Sequence, residues 1–197
     1  MSYLDILVLE VLLDAPRHGY EIKRQVERIL GGTVLLNSNV LYPALREFEQ
    51  IGVLSKTVEP QDGRPARHVY RLTPVGEETL YAMLREFPPE SARSHFEFLT
   101  RLAFFDLLEP EAQTEILEAR EAALSSFLEH LRLMEEKTKQ TKQVGAPRRE
   151  WNLRAVELEI LQLEQEREWI RRLKESQPGG SKNAPEEKRT KGSGRYL

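Results

Sequence analysis

The sequence contains no cysteine. That removes disulfide scaffolds, thiolate metal sites and cysteine nucleophiles together, and it suits a reducing, cytoplasmic setting. Long apolar runs are missing too: none approaches the roughly 18 residues of a membrane span, so no membrane partner is expected. The N-terminal "YLDILVLEVLL" imitates a secretory signal, but it carries Asp5 and Glu10 and has no basic segment before it, so it reads as a core helix. The four histidines, at 18, 68, 95 and 130, lack metal-ligand spacing. There is no G-x-G-x-x-G or Walker pattern and no Ser-His-Asp or paired-carboxylate constellation. No metal, no cofactor and no enzyme activity is expected.

A strongly basic balance is also absent. The formal net charge is -3. Residues 1–86 hold 10 Lys/Arg against 12 Asp/Glu, residues 87–175 hold 14 against 18, and residues 176–197 hold 5 against 2. A typical DNA-binding domain is more basic than any of these segments. Any positive patch must therefore be local, and local fields set phosphate contacts more than totals do.

What is present is 197 residues, 40% of them hydrophobic and 31% charged, enough for a core and for long solvated helices. Residues 3–14 are apolar nearly all round, which predicts a helix buried on most sides. "DAPRHGY" stops it through Pro16 and Gly19. A second helix is predicted over 19–30, anchored in the core by Tyr20, Ile22, Val26 and Ile29 and closed by Gly31 and Gly32. A third runs from about 39 to 51: Leu41, Leu45 and Phe48 share one face, Asn39 is the expected N-cap, Pro43 lies near the first turn and Gly52 stops it. Two strands follow, 53–59 and 66–72, with Asp62-Gly63 as the turn between them. In the second, His68, Tyr70 and Leu72 point one way and Arg67, Val69 and Arg71 the other, with Tyr70 and Leu72 as packing residues. Thr73 then caps a fourth helix, with Pro74 first and Glu77 in its first turn, reaching about 86.

"FPPES" breaks the chain, and the predicted boundary lies there: a domain over 1–87, a helical domain over 88–175 and a disordered tail over 176–197. The helical part is predicted as 91–107, 110–141 and 148–175. In the last, Leu153, Val156, Ile160, Leu163 and Ile170 make a coiled-coil seam that points to dimerisation, the other possibility being packing within the chain alone. In the one before, Ile116, Ala123, Phe127, Leu131 and Met134 share a side. The aromatic-rich "HFEFLTRLAFF" at 95–105 is expected in a dimer core, the other possibility being the lining of an effector pocket.

The fold class is therefore mainly α with a small two-stranded β wing: a winged helix-turn-helix plus a helical dimerisation domain. In such a fold the third helix enters the DNA major groove. Its exposed side would carry Asn39, Tyr42, Pro43 and Arg46. Asn pairs bidentately with adenine, Arg with guanine, and Tyr reaches phosphate or braces the turn. On the wing, Lys56, Arg64, Arg67 and Arg71 would follow the DNA backbone or enter the minor groove.

"HGYEI" at 18–22, "LYPALREFEQIGVL" at 41–54 and "GRPARHVYRLTPVG" at 63–76 resemble, in order and spacing, the PadR family of transcriptional regulators. The resemblance covers about residues 3–86. The length of the helical remainder resembles the PadR subfamily whose C-terminal domain is like that of the virulence activator AphA. The resemblance implies a homodimer joined through its C-terminal helices, a pseudo-palindromic double-stranded operator, repression as the usual outcome and, in some members, a small-molecule effector. Where the family often has Gly and then Ser or Thr ahead of the Leu-Tyr pair, this chain has Asn39-Val40. The acidic balance motivates a second reading, a winged module that contacts proteins and no longer binds DNA; steep salt dependence of DNA affinity separates the two.

Overall fold

A computed structural model describes residues 2–31, 35–61, 64–140 and 146–176; the side chains of residues 61, 64–66, 146 and 147 are outside it. The Asp62-Gly63 turn, Gly32 and the tail beyond Ser176 lie outside the described residues. The chain divides into two compact units, Met1–Ala123 and Leu124–Leu197.

Helix α1 is Tyr3–Glu10. Its start is closed by Asp5, whose carboxylate accepts from the Ser2 amide at 2.7 Å. It ends four residues short of the predicted stop. There the backbone tightens: Leu12 donates to the Leu9 carbonyl at 3.1 Å and Leu13 to that of Glu10 at 2.8 Å. The Val11 carbonyl is taken by Arg17 Nε at 2.6 Å, so a side chain from beyond the breaker replaces the next helical turn. Ile6, Leu7, Val8 and Leu9 are all buried, as an all-round apolar helix requires. The helices Pro74–Arg85 and His95–Ala103, with Gly19–Ile29, supply that cover. Each such side chain contributes about 1.5–3 kcal/mol on burial.

Arg17 and His18 form a two-residue strand, β1. Helix α2 is Gly19–Ile29 and α3 is Ser38–Gln50. Ile22 and Val26 are buried, whereas Tyr20 and Ile29 are exposed, so two of the four predicted anchors of α2 face outward. The predicted N-cap of α3 is also displaced. Asn37 caps, its Oδ1 accepting from the Asn39 amide at 2.8 Å, which places Asn39 second in the helix. Leu41, Leu45 and Phe48 are buried on one side of α3. Gly52 follows the helix with φ +78, a left-handed conformation that makes glycine the natural stop.

Strand β2 is Leu54–Gln61 and β3 is Arg64–Leu72. The expected two-stranded sheet gains β1 as a third member, in the order β1-β3-β2. All pairing is antiparallel, with Arg17 opposite Tyr70 and His18 opposite Val69. The β2–β3 register slips between Glu59 and Gln61, at Pro60, whose missing N–H confines it to an edge or a bulge. Tyr70 and Leu72 are buried, as the alternation predicts.

Thr73 caps α4, Pro74–Arg85, by accepting from the Gly76 amide at 3.0 Å. Gly76 has no room for a side chain: a Cβ there would lie 2.2 Å from the Val53 carbonyl oxygen. The predicted helix at 91–107 is divided into α5, Pro89–Arg93, α6, His95–Ala103, and a 3-10 turn, Phe105–Leu107. The divider is Ser94, whose hydroxyl caps α6 by accepting from the Glu97 amide at 3.3 Å.

Among the described residues of this unit, Arg101 and Arg120 are buried. Arg101 donates to the Glu86 carbonyl at 2.7 Å and to the Glu97 carboxylate at 2.7 Å, and its guanidinium lies 4.9 Å from the Phe87 ring centre. Glu97 in turn accepts from the Tyr3 amide at 2.8 Å. One ion pair on α6 thus ties the end of α4 to the start of α1. Arg120 donates to the Ala92 carbonyl at 2.8 Å and lies over Phe98. Phe98 and Phe104 of the aromatic segment are buried, while Phe96 and Leu99 are exposed, Phe96 stacking on Tyr3.

Helix α7 is Pro110–Gln140 and α8 is Ala146–Ser176. Within the second unit the two are joined by an ion pair between Arg132 and Glu164. The buried row of α7 there is Leu124, Leu128 and Leu131; Phe127 and Met134, predicted on the packed side, are exposed. Of the predicted side, Ile116 and Leu131 are buried and Ala123 is half-buried, so only its middle is displaced by one position, to Leu124 and Leu128. On α8, Ile170 is buried and Leu153, Val156, Ile160 and Leu163 are half-buried. Trp151, Leu158, Leu161 and Trp169 are exposed.

Candidate nucleic-acid interface

The outer face of α3 presents Asn39, Tyr42, Pro43 and Arg46 to solvent, because Leu41, Leu45 and Phe48 turn the other way. Tyr42, Arg46 and Glu49 are spaced four and three residues apart, so they form one stripe along the helix. This stripe borders a concave cavity of about 380 Å³, which the start of α2 and the sheet complete. Its lining brings together Tyr42, Arg46, Lys56 and Arg67 from the predicted DNA-contact set, with His18, Tyr20, His68 and Tyr70. Asn39, Pro43 and Arg71 are exposed but do not line it. The backbone of Arg64 belongs to β3; its side chain is outside the described residues.

Gly19 is where the walls meet. A Cβ there would lie 2.8 Å from Cε1 of Tyr42, so the phenol ring rests directly on the α2 backbone. Tyr42 thereby braces the turn while keeping 39% of its surface exposed. Next to it, Tyr20 is 47% exposed. Its ring stacks on His18 with centroids 5.8 Å apart and planes at 9°, and the Arg67 guanidinium stands 5.9 Å from its centre. His18 is itself pinned. Its amide donates to Glu21 at 2.8 Å, its Nδ1 lies 3.3 Å from the His68 carbonyl oxygen, and its Nε2 lies 3.8 Å from Glu59.

Lys56, which lines the cavity, donates through Nζ to Oε2 of Glu49 at 2.6 Å. Tyr70 forms the floor. Burial holds its phenol above the ordinary value of 10.0; Lys56 pulls it back, Glu49 and Tyr42 raise it, and Arg46 lowers it. These influences agree with the geometry in placing all five side chains around one spot.

Sequence spacing missed Tyr20, His18, His68 and Glu49. The signal for the first was "HGY" itself. Gly19 admits the Tyr42 ring, Tyr20 beside it stays exposed, and the Arg67 guanidinium meets its face. Glu49 carries no such signal, since its partner lies beyond the turn at Gly52.

Residues 8–82 match the Transcriptional regulator PadR-like family. This segment, which holds α2, α3, the sheet and all of the cavity lining, is a PadR-like domain. The chain is also similar to an uncharacterized protein of Lysinibacillus sphaericus, 24% identical over 86 residues that cover 44% of this chain and 79% of that one. Among solved structures it is similar to Bacillus subtilis PadR in complex with operator DNA, at 17% identity, 88% and 97% coverage and a TM-score of 0.42. It is likewise similar to a PadR family transcription regulator from hypervirulent Clostridium difficile R20291, at 28% identity, 41% and 82% coverage and a TM-score of 0.36. Among the described residues, no helix is long and apolar enough to cross a membrane.

Proposed function

We propose that the protein is a dimeric, sequence-specific DNA-binding transcriptional regulator of the cytoplasm that represses its target and is modulated by a small-molecule effector. The supporting observation is the convergence of Tyr42, Arg46, Lys56 and Arg67, from three separate elements, on one concave face of a PadR-like domain. Asn39, Tyr42, Pro43 and Arg46 would read and brace the major groove, and Lys56, Arg64, Arg67 and Arg71 would hold backbone phosphates. Residues 1–87 carry this role and residues 88–175 carry dimerisation. For the dimer, Ile170 has no surface left to offer. A second copy would meet the remaining surface of Leu153, Val156, Ile160 and Leu163, extended by the exposed Trp151, Leu158, Leu161 and Trp169. The two reading helices would then sit about 34 Å apart, a distance set by the C-terminal helices, on successive major grooves of one DNA face.

Selection of bound sequences from random duplex DNA, repeated with candidate ligands, tests this. A pseudo-palindromic consensus is expected, with affinity for it that falls steeply with salt. Equal binding to the selected site and to a scrambled duplex would sink the claim of sequence reading. No duplex binding at low salt would favour the protein-interaction module.

A further inference from the structure

The stripe that faces DNA in this reading ends in an acid. Glu49 follows Tyr42 and Arg46 along α3, and its carboxylate is held by Lys56 of β2 at 2.6 Å. Both side chains keep about a third of their surface or less, 31% for Glu49 and 27% for Lys56, so the pair is partly open to water, with Lys56 itself lining the cavity. We infer that Glu49 is a specificity-determining residue, which withholds Lys56 from DNA until a backbone phosphate comes close enough to share the ammonium. The inference rests on the DNA reading of this face.

An ammonium has three donors. One is committed to Glu49, and a phosphate seated inside the cavity can take another. A phosphate held farther out meets a neutral pair and gains nothing from it. A lysine without Glu49 would attract every duplex alike, since phosphate attraction carries no sequence information. Specificity is a difference of affinities, and suppressing the loosely bound state raises it as surely as strengthening the tight one. The chain's shortage of positive charge gives this weight: with few cations on the face, the state of one lysine is a sizeable share of the background attraction.

The test compares full-length protein with its Glu49→Gln, Lys56→Gln and doubly substituted forms, on a selected operator and on a mixed-sequence duplex, across a salt series. Glu49→Gln is expected to bind the mixed-sequence duplex about threefold tighter. Its salt slope should steepen by about 0.9 per protomer, the signature of one added phosphate contact. The operator should gain less, so the ratio of the two affinities falls. In the Lys56→Gln background the same substitution should change nothing. An equal gain in that background would mean that Glu49 simply repels DNA, and an equal gain on both duplexes would mean that it sets no specificity; either overturns the inference. Wild-type binding with Glu49→Gln unchanged or weakened also overturns it and leaves the DNA reading standing. A wild type that binds neither duplex takes both down. Thermal melting of each variant shows that the fold is retained.

Discussion

The guanidinium of Arg67 stands 5.9 Å from the centre of the Tyr20 ring, and that ring is stacked in turn on His18. A wing strand and the start of α2 are thereby joined by a cation on an aromatic face rather than by an ion pair. Such a contact at an exposed site contributes about 0.5–1 kcal/mol. Tyr20→Leu is therefore expected to weaken duplex binding about two- to fivefold, and Tyr20→Phe, which keeps the ring face, to leave it unchanged. Fluorescence anisotropy with a labelled duplex reads the difference. Equal loss in both variants would assign the effect to the hydroxyl, which lies 3.4 Å from Glu21, and not to the stack.

Arg46 and Arg71 should fail differently. Arg46 stands exposed on the reading stripe, so Arg46→Ala is expected to narrow the gap between selected and scrambled duplexes by about 1–3 kcal/mol. Arg71 stands exposed on β3 outside the cavity, so Arg71→Ala should weaken all duplexes alike and lower the salt slope by about 1. If Arg46→Ala weakens both duplexes equally, the helix does not read bases through this residue.

Gly19→Ala asks what the bare backbone under Tyr42 is for. The added methyl would sit 2.8 Å from a ring carbon, so the phenol must swing away. Because the ring is partly exposed, the loss of thermal stability should be small while duplex affinity falls clearly. A large drop in melting temperature with affinity preserved would instead make Gly19 a packing residue alone.

Tyr70 gives the protein an alkaline signature. Its phenol titrates above the ordinary 10.0, chiefly because it is buried. Below pH 10 the tyrosine is neutral in folded and unfolded chains alike, and its contribution to stability is intact. Above 10 the unfolded chain gives up the proton first, so stability falls as pH rises until the folded group ionises too. Tyr70→Phe should flatten that alkaline decline in denaturant titrations. An unaltered slope would show that other groups dominate it.

Much of this was readable from residue order. Leu41, Leu45 and Phe48 define the buried side of α3 by spacing alone, and Thr73-Pro74 marks the start of α4 by cap chemistry. Gly52 stops α3 as expected. What escaped has physical reasons. Strand β1 is two residues long, too short for any alternation to show. Asn37 and Asn39 are chemically the same cap, and only backbone geometry separates them. Tyr20 lies among apolar spacings that suit a core, and only the glycine before it hints that another ring comes close. Arg101 and Arg120 read as surface charge, yet each is buried because backbone carbonyls and an aromatic ring receive it. The Glu49–Lys56 pair spans a turn, and helical periodicity cannot see across one.

The ion pair of Glu97 and Arg101 has a consequence for how the chain is made. Helix α1 is apolar nearly all round, and apart from α2 the groups that cover it and satisfy its first amide belong to α4 and α6, some 70 to 100 residues downstream. At about 5–20 residues per second of synthesis, α1 waits several seconds before these partners exist. A chain arrested after Arg85 should leave α1 open to proteases and to chaperones, and one arrested well past Ala103 should protect it. Helix α1 thus leaves the ribosome well before the segments that secure it.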